Sequence, residues 1–237
     1  MKIKSLKFIG IITLIFLLSG CDLGLQEEFD FKPEALTENP FENMTAWEWI
    51  QSRSNGLQSN GRYNVVDFDY LEAAIRKADM VEEFNQVATK DRTYLLLNNN
   101  AFTGGGDVIQ IITGSGSAAI NNPVNKTADE TMELVNTPAK LEKLKNVLRY
   151  HIVTTYILQV PTLFTQNVDY LFQTLIPGDD GLISFTRTTI WQIQINGPTA
   201  PLPTTATSQF ENVLNHNYQF KNGIGHVIAD PVQNKPY

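Results

Sequence analysis

The sequence contains one cysteine and three histidines among its 237 residues. A single cysteine cannot form a disulfide within the chain, and it cannot build a zinc site from cysteine ligands. The histidines are too scattered along the sequence to indicate a metal cluster. We therefore expect no metal and no other cofactor.

Basic residues are also scarce, because 18 Lys and Arg stand against 25 Asp and Glu, for a net charge of −7. Three of these lysines, Lys2, Lys4 and Lys7, lie in a leader that is predicted below to be removed, so the mature chain is more acidic still. An acidic chain without a basic stripe repels the phosphate backbone of DNA and RNA. We therefore exclude nucleic acid as a partner.

Long hydrophobic runs are missing as well. The apolar run of residues 8–18 has about eleven residues, whereas a helix that crosses a bilayer needs roughly 20. A basic head, a short apolar run and a small-residue exit are typical of a signal peptide. We predict that residues 1–20 are such a leader.

The exit from this leader reads Leu18-Ser19-Gly20-Cys21. Small residues directly before a cysteine resemble the lipobox of bacterial lipoproteins, which implies acylation of Cys21 and cleavage before it. The alternative is a secreted protein in which Cys21 has no such role. Because Cys21 is the only cysteine of the chain, we predict an anchor of acyl chains inserted in the outer membrane.

Acidic residues follow the anchor in Asp22-Leu23-Gly24-Leu25-Gln26-Glu27-Glu28. This run is similar to the export tags of surface lipoproteins in Gram-negative glycan-foraging bacteria, although a solvated tether would have the same composition. We predict a lipidated tether over residues 21–43 and favour the cell surface over the periplasm.

The remaining chain, residues 44–237, shows helical periodicity first and strand patterns later. Helices are predicted at residues 44–50, 80–87 and 138–148, and from Asp67, as the N-cap, to Ala78. Strands are predicted at residues 93–97, 150–153, 171–176, 182–186 and 190–195, and over residues 218–229 on either side of a turn at Asn222-Gly223. Residues 104–136 are predicted to be an irregular insertion with one helical turn near residues 107–112. This order of elements predicts an α+β fold.

Three separated segments resemble a fasciclin-like domain. The first is Thr93-Tyr94-Leu95-Leu96-Leu97-Asn98-Asn99-Asn100-Ala101-Phe102, in which residues 95–99 replace the usual Phe-Ala-Pro-Thr-Asp. The second is the Tyr-His segment of residues 148–153, and the third is the Asn-Gly-x-x-His segment of residues 221–231.

This resemblance implies N-terminal helices packed on a mixed β-sheet wedge that the C-terminal half largely forms. The matching motif residues are Tyr150, His151, Asn222, Gly223 and His226, and we expect them to be structural. In particular, we expect His151 and His226 to be buried, neutral and hydrogen-bonded.

Catalytic signatures are lacking. Gly114-Ser115-Gly116-Ser117-Ala118-Ala119 has the spacing of a dinucleotide loop, but Pro123 stops the helix that such a site needs. Asp179-Asp180-Gly181 is interpreted as a hairpin turn, since residues 183 and 185 are apolar where a calcium loop needs oxygen ligands. No residue is assigned a catalytic role. A pair of catalytic carboxylates that meets only in the folded chain leaves no local sequence pattern, so a hydrolase stays open as an alternative.

The tryptophans are the remaining candidates for contact with a ligand. Trp47 and Trp49 lie two residues apart in a predicted helix and cannot share a face, so we expect one to pack and the other to be exposed or to cover the insertion. Trp191 alternates with Ile193 and Ile195, which predicts core packing.

These observations predict a lipid-anchored, non-catalytic binding or adhesion module of the cell envelope. The resemblance and the context of the leader imply an accessory role in glycan capture beside an outer-membrane importer. The alternatives are a structural subunit of an envelope complex and a hydrolase whose carboxylates converge from different loops.

Overall fold

The computed structural model describes residues 40–103, 107–233 and 237. The predicted signal peptide, Cys21 and most of the predicted tether lie outside this part of the chain. Phe41, which the sequence places in the tether, packs on the core with its ring centroid 6.2 Å from that of Trp49. The packed chain therefore includes residues that the sequence assigns to the tether before residue 44.

Three helices follow: α1 (Ala46–Ser52), α2 (Asp69–Lys77) and α3 (Val81–Asn85). Thr45 and Glu48 form a capping box at the start of α1, where the sequence places the helix N-terminus. The cap of α2 differs from the prediction, because Asp67 accepts a hydrogen bond from Asn55 instead of capping the helix.

The described strands are β1 (Thr93–Leu97), β2 (Ile152–Val153), β3 (Asp169–Gln173), β4 (Leu182–Arg187), β5 (Ile193–Ile195), β6 (Glu211–Asn212), β7 (Asn215–Phe220) and β8 (Gly223–Ile228). One sheet has the order β2-β1-β8-β7, in which β1 runs parallel to β8 with Leu95 opposite His226. Every residue of β1 is buried, as its continuous apolar run predicts.

The second sheet has the order β3-β4-β5-β6, and all its neighbouring strands are antiparallel. A short 3₁₀ turn at Asp179–Gly181 closes the predicted hairpin between β3 and β4. A bridge between Val153 and Thr174 joins the end of β2 to the chain after β3, so the two sheets meet there.

The other described helices are α4 (Asn100–Thr103), α5 (Val108–Thr113), α6 (Ala118–Asn121), α7 (Ala128–Met132), α8 (Pro138–Tyr150) and α9 (Thr204–Thr207). The helical turn predicted near residues 107–112 is present as α5, but the prediction that the rest of residues 104–136 is irregular is wrong for its described part. Thr127 and Glu130 cap α7, and Ile109, Ile112 and Met132 are buried in the core. Apolar packing thus orders a segment whose Gly, Ser and Asn content indicated a loop.

Helix α8 starts where the sequence predicts, with Thr137 as the N-cap and Pro138 in the first turn. The helix ends later than predicted, because Tyr150 still belongs to it and His151 is its C-cap rather than a strand residue. The His151 N–H donates to the carbonyl groups of Val147 and Leu148, which continues the helical hydrogen bonding. The strand begins only at Ile152.

The fold is α+β, with eight of the nine described helices before residue 151 and six of the eight described strands after residue 168. No described helix is both long enough and apolar enough to cross a bilayer.

Candidate functional site

The Tyr-His motif lies inside the fold. The Tyr150 hydroxyl donates to the carbonyl oxygen of Leu182 at 2.8 Å and accepts from the side-chain amide of Asn196 at 3.0 Å. Nδ1 of His151 lies 2.7 Å from the carbonyl oxygen of Val147, and Nε2 accepts from the backbone N–H of Val232 at 3.0 Å. Both ring nitrogens of His151 are therefore used by the backbone.

His226 has the same kind of environment. Its Nε2 lies 2.8 Å from the carbonyl oxygen of Ile157, and its Nδ1 accepts from the backbone N–H of Asn217 at 3.2 Å. Burial lowers the pKa of His226 to about 4, and burial lowers the pKa of His151 to about 4 as well. Both imidazoles are therefore neutral at physiological pH.

Asn222 and Gly223 form the turn between β7 and β8. The Asn222 amide donates to the Phe84 carbonyl at 2.8 Å and accepts from the Ala46 N–H at 2.9 Å. Gly223 has φ of 152°, and a Cβ there would lie 2.4 Å from the carbonyl oxygen of Arg92. The motif residues thus contact different segments, and the structure does not bring them together into a surface site.

A recess of about 180 Å³ opens where α4 meets the chain before α2 and the chain after α6. We call it the amide cleft and define it by Arg62, Tyr63, Asn99, Asn100 and Asn122. It continues into an open groove of about 520 Å³ that Val124 and Lys126 also line. Of these residues only Asn99 and Asn100 belong to a recognised motif, and no sequence signal pointed to Arg62 or Asn122.

The wall of the amide cleft is fixed by backbone contacts. The Asn125 N–H donates to the Gly61 carbonyl at 2.8 Å, and a Cβ at Gly61 would lie 2.0 Å from the side-chain oxygen of Asn125. Gly61 also has φ of 72°, a conformation that favours glycine. The guanidinium of Arg62 donates to the side chain of Asn122 across the mouth of the cleft.

Uncharged polar groups dominate this cleft. Burial raises the pKa of Tyr70 to about 12 and also raises the pKa of Tyr63, so both hydroxyls stay protonated. The Tyr63 hydroxyl accepts from the Ala128 N–H at 2.8 Å, which fixes the ring beside α7. Arg62 and Asn122 are exposed, so their donors face solvent at the rim.

A second depression of about 350 Å³ is acidic and lies where β6 meets the chain after β8. We call it the acidic cleft and define it by Asp107, Glu211 and Asp230. Burial raises the pKa of Glu211 to about 8, and the negative charges of Asp230 and Asp107 add to the effect. Glu211 therefore carries a proton at neutral pH, as a general acid must. These residues are distant in the sequence, so no local pattern pointed to them.

Of the two alternatives for the second tryptophan, exposure is wrong, because the Trp47 and Trp49 side chains are only 8% and 2% exposed. Helix α1 packs against α2, α3 and β8, so apolar neighbours surround more than one face of it. The Trp49 ring lies 5.0 Å from the Phe68 ring and 5.6 Å from the Phe220 ring, centroid to centroid.

The prediction of core packing for Trp191 is wrong as well, because the side chain is 55% exposed. Its backbone has φ of 64°, and β5 begins only at Ile193, so the strand alternation does not reach Trp191. The guanidinium carbon of Arg187 lies 4.3 Å from the centroid of the indole ring. One face of Trp191 therefore rests on a cation while the side chain stays accessible.

Among the described residues, no group of three or more His, Cys, Asp or Glu side chains is arranged to hold a metal ion. The three carboxylates of the acidic cleft thus share a depression without forming a metal-ligand set.

No family model and no curated protein matches this chain in sequence. Among solved structures, it is similar to a FAS1 domain pair from the insect cell adhesion molecule fasciclin I, with a TM-score of 0.51 and 12% identity. The match covers 81% of this chain and 51% of that one, so the chain spans about half the length of the domain pair. At this identity the match shows the fold alone, and it confirms the fasciclin-like α+β fold that the three motifs predict.

Proposed function

We propose that this chain is a lipid-anchored, non-catalytic binding module of the cell envelope that captures a neutral glycan in the amide cleft. Acyl chains on Cys21 hold it at the outer membrane, facing the cell surface, where it serves an importer as an accessory. The observation that carries the proposal is the cleft itself, in which amide, hydroxyl and guanidinium groups converge beside apolar side chains.

The chemistry of the cleft suits a ligand with many hydroxyl groups. Asparagine amides donate and accept hydrogen bonds at once, which matches the dual character of a sugar hydroxyl. Val65 and Val124 are exposed beside the polar groups and suit the C–H face of a sugar ring. The fold similarity to a domain of a cell adhesion molecule supports a role in binding rather than turnover.

The binding proposal is tested by titrating the full chain with a panel of soluble neutral oligosaccharides in a calorimeter. Arg62→Ala and Asn122→Ala each remove a rim donor and are expected to weaken binding about threefold to tenfold. The matched control is Arg149→Ala on α8, since the Arg149 side chain is 40% exposed, pairs with Glu142 and does not line the cleft. Equal affinity for all three variants would contradict the assignment of the cleft.

The anchor is tested separately with Cys21→Ser. This variant should lose labelling by a palmitate analogue and should leave the membrane fraction, while the fold stays intact because the described core forms without a contribution from Cys21. Persistent labelling of the variant would refute acylation at Cys21.

The acidic cleft favours one second candidate function, a glycoside hydrolase. A protonated Glu211 beside two other carboxylates is an arrangement that acid-catalysed hydrolysis of a glycan uses. Under this alternative, the purified chain releases sugar from a polysaccharide and Glu211→Gln abolishes the release.

A further inference from the structure

Three large apolar side chains protrude from two loops near one end of the second sheet. Ile190 is 77% exposed, Phe164 is 73% exposed and Trp191 is 55% exposed. We call these three residues the apolar tip. The loops that carry them, residues 154–168 and 188–192, contain no Asp, Glu, Lys or Arg, and neither does the chain from β5 to residue 210.

The apolar tip covers the positive charge of Arg187, which lies directly beneath Trp191. Nε of Arg187 donates to the Leu163 carbonyl at 2.6 Å, and another guanidinium nitrogen donates to the Phe164 carbonyl. The indole of Trp191 lies over the guanidinium, and Arg187 as a whole is buried. Arg187 thus ties the two loops together and presents an uncharged, fixed indole to the outside.

The nearest acid along the chain is Asp169, which follows the first loop directly. Its carboxylate accepts hydrogen bonds from the hydroxyls of Ser184, Thr186 and Thr199. This carboxylate is therefore held by the second sheet, away from a free surface role at the tip.

The N-terminal end of the described chain lies beside this surface. Phe41 lines a groove of about 400 Å³ together with Leu214 and His216. His216 lies 3.3 Å from the side-chain nitrogen of Gln159, and that nitrogen donates to the Trp191 carbonyl. The groove and these hydrogen bonds therefore connect Phe41 with the apolar tip.

We infer that the apolar tip inserts into the interfacial region of the bilayer that holds the chain's own acyl anchor. The inference rests on the proposed anchor at Cys21. A segment from Cys21 to Asn39 spans at most about 60 Å even when fully extended, which keeps the tip within reach of that bilayer. Restricting the tip to this short distance raises its effective concentration at the membrane, so a weak intrinsic affinity suffices.

The chemistry of the tip fits a bilayer better than a sugar or a second copy of the chain. Ile190 and Phe164 offer no hydrogen-bonding side-chain atoms to a hydroxyl-rich ligand, whereas tryptophan at the boundary of water and lipid is a common anchor. A surface without charges avoids the cost of bringing ions into the interface. A second copy would have to approach with the same net negative charge, which opposes association.

Docking in this orientation also leaves the amide cleft accessible. The tip loops contact the start of β1, where the Ile157 N–H donates to the Thr93 hydroxyl at 2.9 Å. The amide cleft lies beyond the end of β1, where the Asn100 N–H donates to the Val65 carbonyl at 3.1 Å. The two surfaces therefore lie at opposite ends of the same strand.

The three tryptophans make a direct test available, because Trp47 and Trp49 are buried and Trp191 is exposed. The acylated full chain is placed in phosphatidylcholine vesicles in which part of the lipid carries bromine on its acyl chains. We expect quenching of Trp191 emission by the brominated lipid, a shift of its emission to shorter wavelength, and protection from acrylamide. In Trp191→Phe this response should vanish.

Ile190→Glu and Phe164→Glu should abolish the quenching while the acyl anchor keeps the chain on the vesicles. For the non-acylated Cys21→Ser chain at high lipid concentration, each change should lower partitioning by about tenfold or more. Val66→Glu is the matched control, since Val66 is 51% exposed and lies near the amide cleft instead. This control should behave like the unchanged chain.

The outcomes separate the anchor from the docking. A chain that is acylated and bound to vesicles while Trp191 stays open to acrylamide contradicts docking and leaves the anchor in place. A chain without acyl groups contradicts the anchor, and docking is then decided by Trp191 quenching at high lipid concentration. Without lipid, rising protein concentration or added neutral oligosaccharide should not protect Trp191 from acrylamide. Protection by either one would show that the apolar tip binds a second copy or a sugar, which contradicts insertion into a membrane.

Discussion

The imidazole of His226 donates a hydrogen bond of 2.8 Å to the carbonyl oxygen of Ile157, across the interface between β8 and the chain that follows β2. Because Asn217 donates to the other ring nitrogen, the neutral ring satisfies one acceptor and one donor of the backbone. Protonation would remove the acceptor and place a charge in the core. His226 is thus a structural cross-link that depends on staying neutral.

The stability of the fold should therefore fall in acid. The pKa of His226 is about 4 in the fold against 6.5 for an ordinary histidine, so its contribution is complete above pH 6.5 and is lost as the pH falls toward 4. His226→Ala is expected to cost about 1–3 kcal/mol at neutral pH. His226→Gln should flatten the acid dependence of the urea unfolding free energy more than His216→Ala does, because His226 is fully buried whereas His216 is exposed. A normal melting temperature combined with lost ligand binding would reverse the structural assignment of His226.

Asn99 caps helix α2 from a distant part of the chain. Its side-chain oxygen accepts from the Tyr70 N–H at 3.0 Å, and its amide nitrogen donates to the Asn64 carbonyl at 2.8 Å. Asn99→Ala should therefore lower the free energy of unfolding by about 1–3 kcal/mol, measured by chemical denaturation. Asn60→Ala, in an exposed turn, is the control and should cost much less. Equal costs for the two variants would show that the long-range cap is not important.

Glu211 should have the opposite effect on pH dependence from the buried histidines. Its pKa is about 8 in the fold and 4.5 in an ordinary carboxyl, so its contribution is complete below pH 4.5 and is lost as the pH rises through 8. Glu211→Gln should gain stability relative to the unchanged chain between pH 5 and pH 8, as measured by thermal unfolding. Glu133→Gln, at the exposed C-cap of α7, should show no such trend. A constant difference between Glu211→Gln and the unchanged chain at all pH values would contradict the raised pKa.

Ile120 and Val124 offer a paired test of the segment that the sequence predicts to be a loop. The sequence predicts that replacing residues 115–125 by a short Gly-Ser linker leaves stability nearly unchanged. The structure predicts a modest loss instead, because Ile120 packs partly against the core, whereas Val124 is 46% exposed. Ile120→Ala should cost about 1–2 kcal/mol in a denaturation experiment and Val124→Ala close to nothing. The reverse order would show that the packing of this segment is misassigned.

Much of the fold could be predicted from local sequence signals. The continuous apolar run of β1, the Thr137-Pro138 start of α8 and the Asn222-Gly223 turn each combine a pattern with a residue that its geometry requires. The three motifs in order supplied the fold class despite the departure in residues 95–99. Helix α7 also had a signal, because Thr127 and Glu130 have the spacing of a capping box, but the composition of the surrounding segment outweighed it.

The remaining features depend on contacts between distant residues. The cap from Asn99 to α2, the pairing of Arg62 with Asn122 and the gathering of Glu211 with Asp107 and Asp230 leave no local pattern in the sequence. The prediction for Trp191 is wrong for a different reason, since a positive φ at Trp191 ends the alternation before β5. The arrangement of surface side chains was therefore less predictable from the sequence than the buried helices and strands.

Product analysis after equilibrium binding tests the central claim, capture of a glycan without turnover, most directly. The purified chain is incubated with a neutral polysaccharide that it binds, and the bound and free fractions are analysed by mass spectrometry after prolonged incubation. The account predicts a bound polymer of unchanged length whose retention falls in Arg62→Ala and Asn122→Ala. Shortened products that disappear in Glu211→Gln would contradict it and assign the chain to the hydrolases.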